Sequence, residues 1–188
     1  MTAINRLALL GALALAGCAS VPHEAGCTAL APTLRYCLQA LPAGQTLAIN
    51  QLVEFTLPDR PDGERLVFAI DAREARMQIV ALTPLGQKLF RISAEHGTLH
   101  WDGPQAAEAL GLRLPALIQL MLWPVDAVRD GLGQDAELSA TEYGRTVHQG
   151  DAPPVLTTRQ SDTDPTRGTI DAVFTPMDAR IRVSRLEE

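Results

Sequence analysis

The chain has 188 residues, with 16 basic side chains against 22 acidic ones and a formal charge of −6 at neutral pH. That length bounds it to one domain. Lys88 is the only lysine, and the acidic balance supplies neither the basic stripe that nucleic acid requires nor a polybasic grip on anionic lipid.

The first elements read as an export leader. Met1 to Arg6 carries one positive charge, Leu7 to Leu15 is apolar, and Ala16-Gly17-Cys18 follows. The apolar run is too short for a bilayer span, which needs about 20 residues. It fits the centre of a signal ending at small residues. Leu15-Ala16-Gly17-Cys18 resembles the bacterial lipobox, in which the peptide is cut before the cysteine and the cysteine is acylated. The alternative is a plain secretory signal with an incidental cysteine. Ala19 and Ser20 follow, with no aspartate at the second position. By resemblance to the sorting rule of two-membrane bacteria, this favours the outer membrane, with the domain on the periplasmic face. Cleavage removes residues 1–17 and Arg6 with them, leaving 15 basic and 22 acidic side chains and a charge of −7. Several acyl chains, at about 0.8 kcal/mol per buried methylene, anchor a protein almost permanently.

Acylation of Cys18 leaves Cys27 and Cys37, an even pair suited to a disulfide in an oxidising compartment. Two unpaired thiols are the alternative. Pro22, Gly26, Pro32, Pro42 and Gly44 leave residues 18–45 without sustained periodicity. They read as a tether and a leading segment, with one helical turn around Leu34–Leu41. The domain proper is then residues 46–188.

Thr46 to Leu57 is the first predicted strand, followed by a turn at Pro58–Gly63. From Glu64 to Trp101 apolar residues recur with period two: Leu66, Phe68 and Ile70, then Met77, Ile79 and Ala81, then the run Gln87–Ile92. Turns at Asp71–Ala75, Thr83–Gly86 and His96-Gly97 separate them. This predicts an antiparallel meander with one face to bury. Residues 104–132 supply the cover as a helical lid. Pro104 opens a short helix closed by Gly111, and Pro115 opens a second in which Leu117, Ile118, Leu120, Met121 and Leu122 are apolar nearly all round. A helix with so little polar surface is enclosed or lines something greasy. Trp123-Pro124 breaks it before a third helix at Val125–Asp130, ended by Gly131. Five strands are predicted after Gly133, over 137–140, 142–148, 154–160, 167–175 and 179–186. The expected class is α+β, mostly β, a curved sheet under helices.

Searches for catalytic sites return no residue set. His96 and His100 have helical metal-ligand spacing, but Gly97 and the strand pattern place them around a turn; His23 and His148 stand alone. Asp162-Thr163-Asp164, with Pro165 and Gly168, reads as a hairpin turn rather than a cation loop. No metal, cofactor or enzymatic activity is expected. Thr83-Pro84-Leu85-Gly86 suits a type I turn, and it puts a leucine at a hairpin tip. Leu85 either folds back on a neighbour or probes a membrane, and on composition alone the first reading is the simpler.

That turn, with Leu82 before it and Leu89 after it, resembles the hairpin of the LolB family of outer-membrane lipoprotein receptors. In that family a leucine protrudes from an Asn-Pro-Leu-Gly turn; Thr83 stands where the asparagine would be, and Leu85 matches the leucine. Thr83–Leu89 together with Leu122-Trp123-Pro124-Val125-Asp126-Ala127 is similar to a branch of LolB-like lipoproteins found beside aryl-polyene pigment biosynthesis enzymes. The resemblance covers roughly residues 46–186, with sparser aromatics than LolB itself. It implies an incomplete antiparallel barrel of the LolA/LolB type, closed by two or three short helices, with an interior for acyl chains.

Two functions follow as expectations. The first is an outer-membrane-anchored carrier or acceptor of an amphiphile, either lipoprotein acyl chains or a polyene lipid. A LolA-like periplasmic carrier would supply it, the chain would act as a monomer, and Leu85 would be the membrane probe. The expected cavity side chains are Phe68, Ile70, Met77, Ile79, Trp101, Leu117, Leu120 and Met121. The second is an envelope scaffold whose hollow is filled by its own side chains and whose surface recruits a protein partner.

Overall fold

The structure, a computed structural model, describes residues 26–134 and 136–186; the leader, Cys18 and His23 lie outside the described residues. Five strands form the first meander: β3 Thr46–Leu57, β4 Arg60–Arg73, β5 Arg76–Leu82, β6 Lys88–Glu95 and β7 Thr98–Asp102. A 3-10 turn at Gln105–Ala107 leads into the helices α1 Glu108–Gly111, α2 Leu114–Leu122 and α3 Val125–Leu132. The chain then returns as β8 Glu137–Thr141, β9 Gly144–His148, β10 Leu156–Gln160, β11 Thr169–Phe174 and β12 Ala179–Arg185. These ten strands make one antiparallel sheet in the order β7-β6-β5-β4-β3-β12-β11-β10-β9-β8. Pairing of β12 with β3 joins the two meanders, and β7 and β8 remain as edges, so the sheet is open.

Period-two alternation decides which face is buried. On β4 the residues Leu66, Phe68, Ile70 and Ala72 face inward, and on β5 Met77, Ile79 and Ala81 do so. Cross-strand rows follow from the register: Ile49, Ile70, Ile79, Ile92 and Trp101 form one, and Gln51, Phe68, Ala81 and Phe90 the next. The meander thus has two ends. The Gly97 end holds the turns after Arg73 and Glu95, and the Leu85 end holds those after Leu57 and Leu82. The turn expected at Asp71–Ala75 is shorter than its polarity suggests, because β4 runs on to Arg73 with Ala72 buried.

Helix α2 lies on the inner face with every residue from Pro115 to Leu122 buried. The elements enclosing it include one that the sequence leaves hidden. Residues 27–37 are neither tether nor helical turn but a hairpin, β1 Cys27–Ala31 and β2 Leu34–Cys37. Cys27 faces Cys37 in its register, and the two are joined by a disulfide. Leu30, Leu34 and Tyr36 alternate inward and are buried to 1% exposure or less. That short period competes with Pro32 and a length too small for a helix, and strand wins because a buried face is available.

A polar network pins this hairpin. Tyr36 Oη donates to Gln119 Oε1 at 3.0 Å, and the Gln39 backbone N–H donates to the same oxygen at 2.8 Å. Gln119 Nε2 and Trp123 Nε1 both donate to the Gln39 carbonyl, at 2.9 and 3.2 Å. Each buried polar group here has its partner, the condition under which such a network rigidifies rather than weakens a core. Nearby, buried Arg145 donates through Nη1 to the carbonyls of Leu120 and Trp123 at 3.0 and 2.7 Å. A cation at a helix C-terminus meets the negative end of its dipole. Desolvation holds the Arg145 pKa below its usual value and raises that of Tyr36.

Candidate binding cavity

Between the Leu85 end of the sheet and the first helices lies a cavity of about 100 Å³. Its floor is the inner face of the central strands: Gln51, Val53, Phe55 and Leu57 of β3, Leu66 and Phe68 of β4, and Ile181 and Val183 of β12. Phe90 and Trp101 form the β6–β7 side, and Phe174 and Met177 the opposite one. Leu110 of α1 with Leu114, Leu117, Ile118 and Met121 of α2 form the roof. No charged residue lines it.

The aromatic wall is built by close backbone approach. Trp101 stacks on Phe90 with ring centroids 4.9 Å apart and 30° between planes, and Phe90 meets Phe68 edge-on at 6.2 Å. A Cβ on Gly111 would overlap the six-membered ring of Trp101. Glycine at the end of α1 therefore lets the helix rest directly on the indole. The Trp101 indole nitrogen is buried and has no hydrogen-bond partner. Outside this wall Lys88 Nζ pairs with Asp102 at 2.9 Å, tying β6 to β7; the Lys88 hydrogen bond holds the Asp102 carboxyl below its usual range.

Four of the side chains expected in the cavity line it: Phe68, Trp101, Leu117 and Met121. The other four do not. Ile70, Met77, Ile79 and Leu120 are 1–5% exposed and belong to the packed core. Their alternation gives the correct face of the sheet, but they sit towards the Gly97 end, whereas the hollow lies towards the Leu85 end. Sequence reasoning missed Phe90, Phe174 and Ile181, whose period-two positions were visible, and Gln51, a polar residue that is only 4% exposed.

The tip at Thr83–Gly86 is a three-residue hairpin loop. Gly86 N–H donates to the Thr83 carbonyl, and Thr83 N–H to the Gln87 carbonyl, both at 2.9 Å. Leu85 is not among the residues with positive φ, whereas Gly86 has φ 83°, so a type I turn is followed by a left-handed glycine. Leu85 does not fold back: it is 91% exposed. Leu89, an unpaired bulge residue between Lys88 and Phe90, adds a second partly exposed leucine.

The remaining candidates do not assemble. His96 lies in its turn with φ 47°, and His100 is exposed on β7. Asp162 and Asp164 serve their own loop: Asp162 accepts from Asp164 N–H at 2.9 Å, and Asp164 accepts from Thr166 N–H and Oγ1 at 2.9 and 2.6 Å. Among the described residues, no three His, Cys, Asp or Glu side chains group as a metal site.

Residues 48–181 match a family described as proteins of unknown function, DUF3261. The chain belongs to the DUF3261 family. No curated protein matches it. The DUF3261 match contains every residue that lines the cavity except Val183, together with the Leu85 tip. The disulfide hairpin lies before it.

Proposed function

We propose that this DUF3261 protein is a LolB-like, lipid-anchored acceptor of an amphiphile, with the open sheet and its helices acting as an incomplete barrel. Acylated Cys18 would hold it on the periplasmic face of the outer membrane. A LolA-like periplasmic carrier would deliver acyl chains or a polyene lipid, and Leu85 would lead the cargo into the bilayer. No catalytic step is needed, because transfer runs downhill into better-matched apolar surroundings.

The observation that carries this reading is the cavity, walled almost wholly by apolar side chains at the same end of the sheet as an exposed leucine. A wall of that composition binds hydrocarbon at about 25 cal/mol per Å² buried and offers an ionic ligand nothing. At about 100 Å³ the hollow takes only part of a chain, because small-molecule sites run to about 300–1,000 Å³. A guest therefore has to widen it, and α1 is the element to move: it has four residues and no side-chain cap. The small volume is also what favours the second reading, a scaffold that carries no ligand.

Native mass spectrometry of the chain purified from its own envelope separates the two. Co-purification of a stoichiometric amphiphile is expected. A protein that emerges empty, and stays empty when offered acyl lipids, removes the carrier reading.

A further inference from the structure

We propose that the cavity recognises a neutral acyl ester through a hydrogen bond from Trp101 Nε1 to the ester carbonyl, an inference that rests on the amphiphile-binding reading. Two independent observations meet at this residue. Trp101 forms part of the cavity wall, and its indole N–H is the only buried side-chain donor or acceptor among the described residues left without a partner. Buried polar groups are almost always satisfied, so an orphan on a residue of the cavity wall is the donor a guest could use. The fully buried indole of Trp123 shows the contrast, since its Nε1 is satisfied by the Gln39 carbonyl.

The surrounding wall narrows the chemistry. An N–H donor requires an acceptor on the guest, which a plain hydrocarbon lacks. An ionised carboxylate also accepts, but no Lys, Arg or His lines the cavity to compensate it, and burying an unpaired charge is far more costly than burying an ester. A carbonyl without net charge is the group that fits. Trp101 lies on the edge strand β7, and the apolar floor runs from it to β3 and β12 in the middle of the sheet. The ester head is therefore placed against β7 and α1, with the hydrocarbon tail lying across the floor towards Phe55 and Ile181.

The test is competition binding to the full chain carrying Cys18→Ser, with N-phenylnaphthylamine as the displaced probe at pH 8. Methyl decanoate, decanoate and decane are the competitors, and the readout is the ratio of their affinities. The expected preference for ester over decane is about three- to tenfold, the worth of one neutral hydrogen bond. Trp101→Phe, which keeps a ring against Phe90, should bring the ratio close to one. If that variant does not fold, benzothienylalanine placed at position 101, with sulfur in place of N–H, makes the same comparison. An unchanged ratio in either replacement overturns the proposal while leaving the amphiphile reading intact. Decanoate binding more tightly than its ester also overturns it. Failure of ester and decane alike to displace the probe removes both readings together.

Discussion

At the Gly97 end α2 is held under a hairpin that a disulfide closes and Gln119 ties down; at the Leu85 end α2 shares the cover with a four-residue helix resting on one indole. The inward-facing residues are similar at the two ends: Ile70, Met77 and Ile79 at the first, Val53, Leu66 and Phe68 at the second. The Gly97 end nevertheless keeps only about 50 Å³ of free space, beside Met77, Gln119 and Trp123, whereas the other retains an apolar hollow of about 100 Å³. Apolar residues supply the drive to be covered, but the fit depends on whether the cover is fixed by directional bonds. The pinned cover leaves the smaller space, and the unpinned one the larger.

The contrast can be broken most strongly at its fixed end. Replacing both Cys27 and Cys37 by serine releases a ten-residue separation and should lower stability by about 3 kcal/mol in urea unfolding. Amide exchange should quicken first around β1, β2 and Gln39. An unfolding midpoint unchanged from the parent would mean that the hairpin is only an ornament on the core. At the other end, Gly111→Ala forces a methyl into the Trp101 ring. A loss of about 1–2 kcal/mol is expected, overpacking exceeding the helical preference of alanine. Tryptophan emission should shift as the indole moves, and no loss of stability would show that α1 is already free of Trp101.

A third change sharpens the comparison through pH. Burial raises the Tyr36 pKa above its ordinary value of 10.0. The folded state therefore holds the phenol proton more tightly than the unfolded chain does. The stability this provides is complete below about pH 10 and declines as pH rises further, because the unfolded chain releases its proton first. Tyr36→Phe should cost about 1 kcal/mol at neutral pH, the value of its bond to Gln119, and should flatten the alkaline decline. A decline of the same steepness in the variant would place its origin elsewhere. The smallest structural effect is expected at the tip: Leu85→Glu should leave stability within about 0.5 kcal/mol. It should also leave ligand uptake intact while abolishing delivery to vesicles, and unchanged delivery would dismiss Leu85 as a membrane probe.

Much of the fold is legible in the sequence because its cues are local. Alternation at Leu66–Ile70 and Met77–Ala81, with punctuation at Pro84-Leu85-Gly86 and His96-Gly97, marks β4 to β7 within a few residues. The strands after Gly133 are equally plain, and Pro115 and Trp123-Pro124 frame α2. The hairpin at Cys27–Cys37 is not legible, since its inward residues Leu30, Leu34 and Tyr36 are too few to register as a period among prolines. The cavity is half legible for a different reason. Alternation tells which face a residue joins but not how far along that face a helix will settle, so Phe68 and Ile70, two positions apart on one strand, fall on opposite sides of the boundary. Gln119 and Arg145 are buried with partners far away in the sequence, and no local pattern announces them.

The backbone enters the described fold at Gly26, where an added Cβ would strike Gly97. Leu85 stands at the other pole, beyond the eight residues of β6, a strand about 27 Å long. Whatever course residues 18–26 take, covalent geometry limits that leash to about 29 Å. An anchor at Cys18 and a probe at Leu85 would thus leave from opposite poles of the molecule, and they reach one bilayer only when the sheet lies down along it or the leash is drawn nearly taut. Upright on a slack leash, the same leucine would point away from the anchoring bilayer, where under the proposed function it would meet an arriving carrier before the membrane.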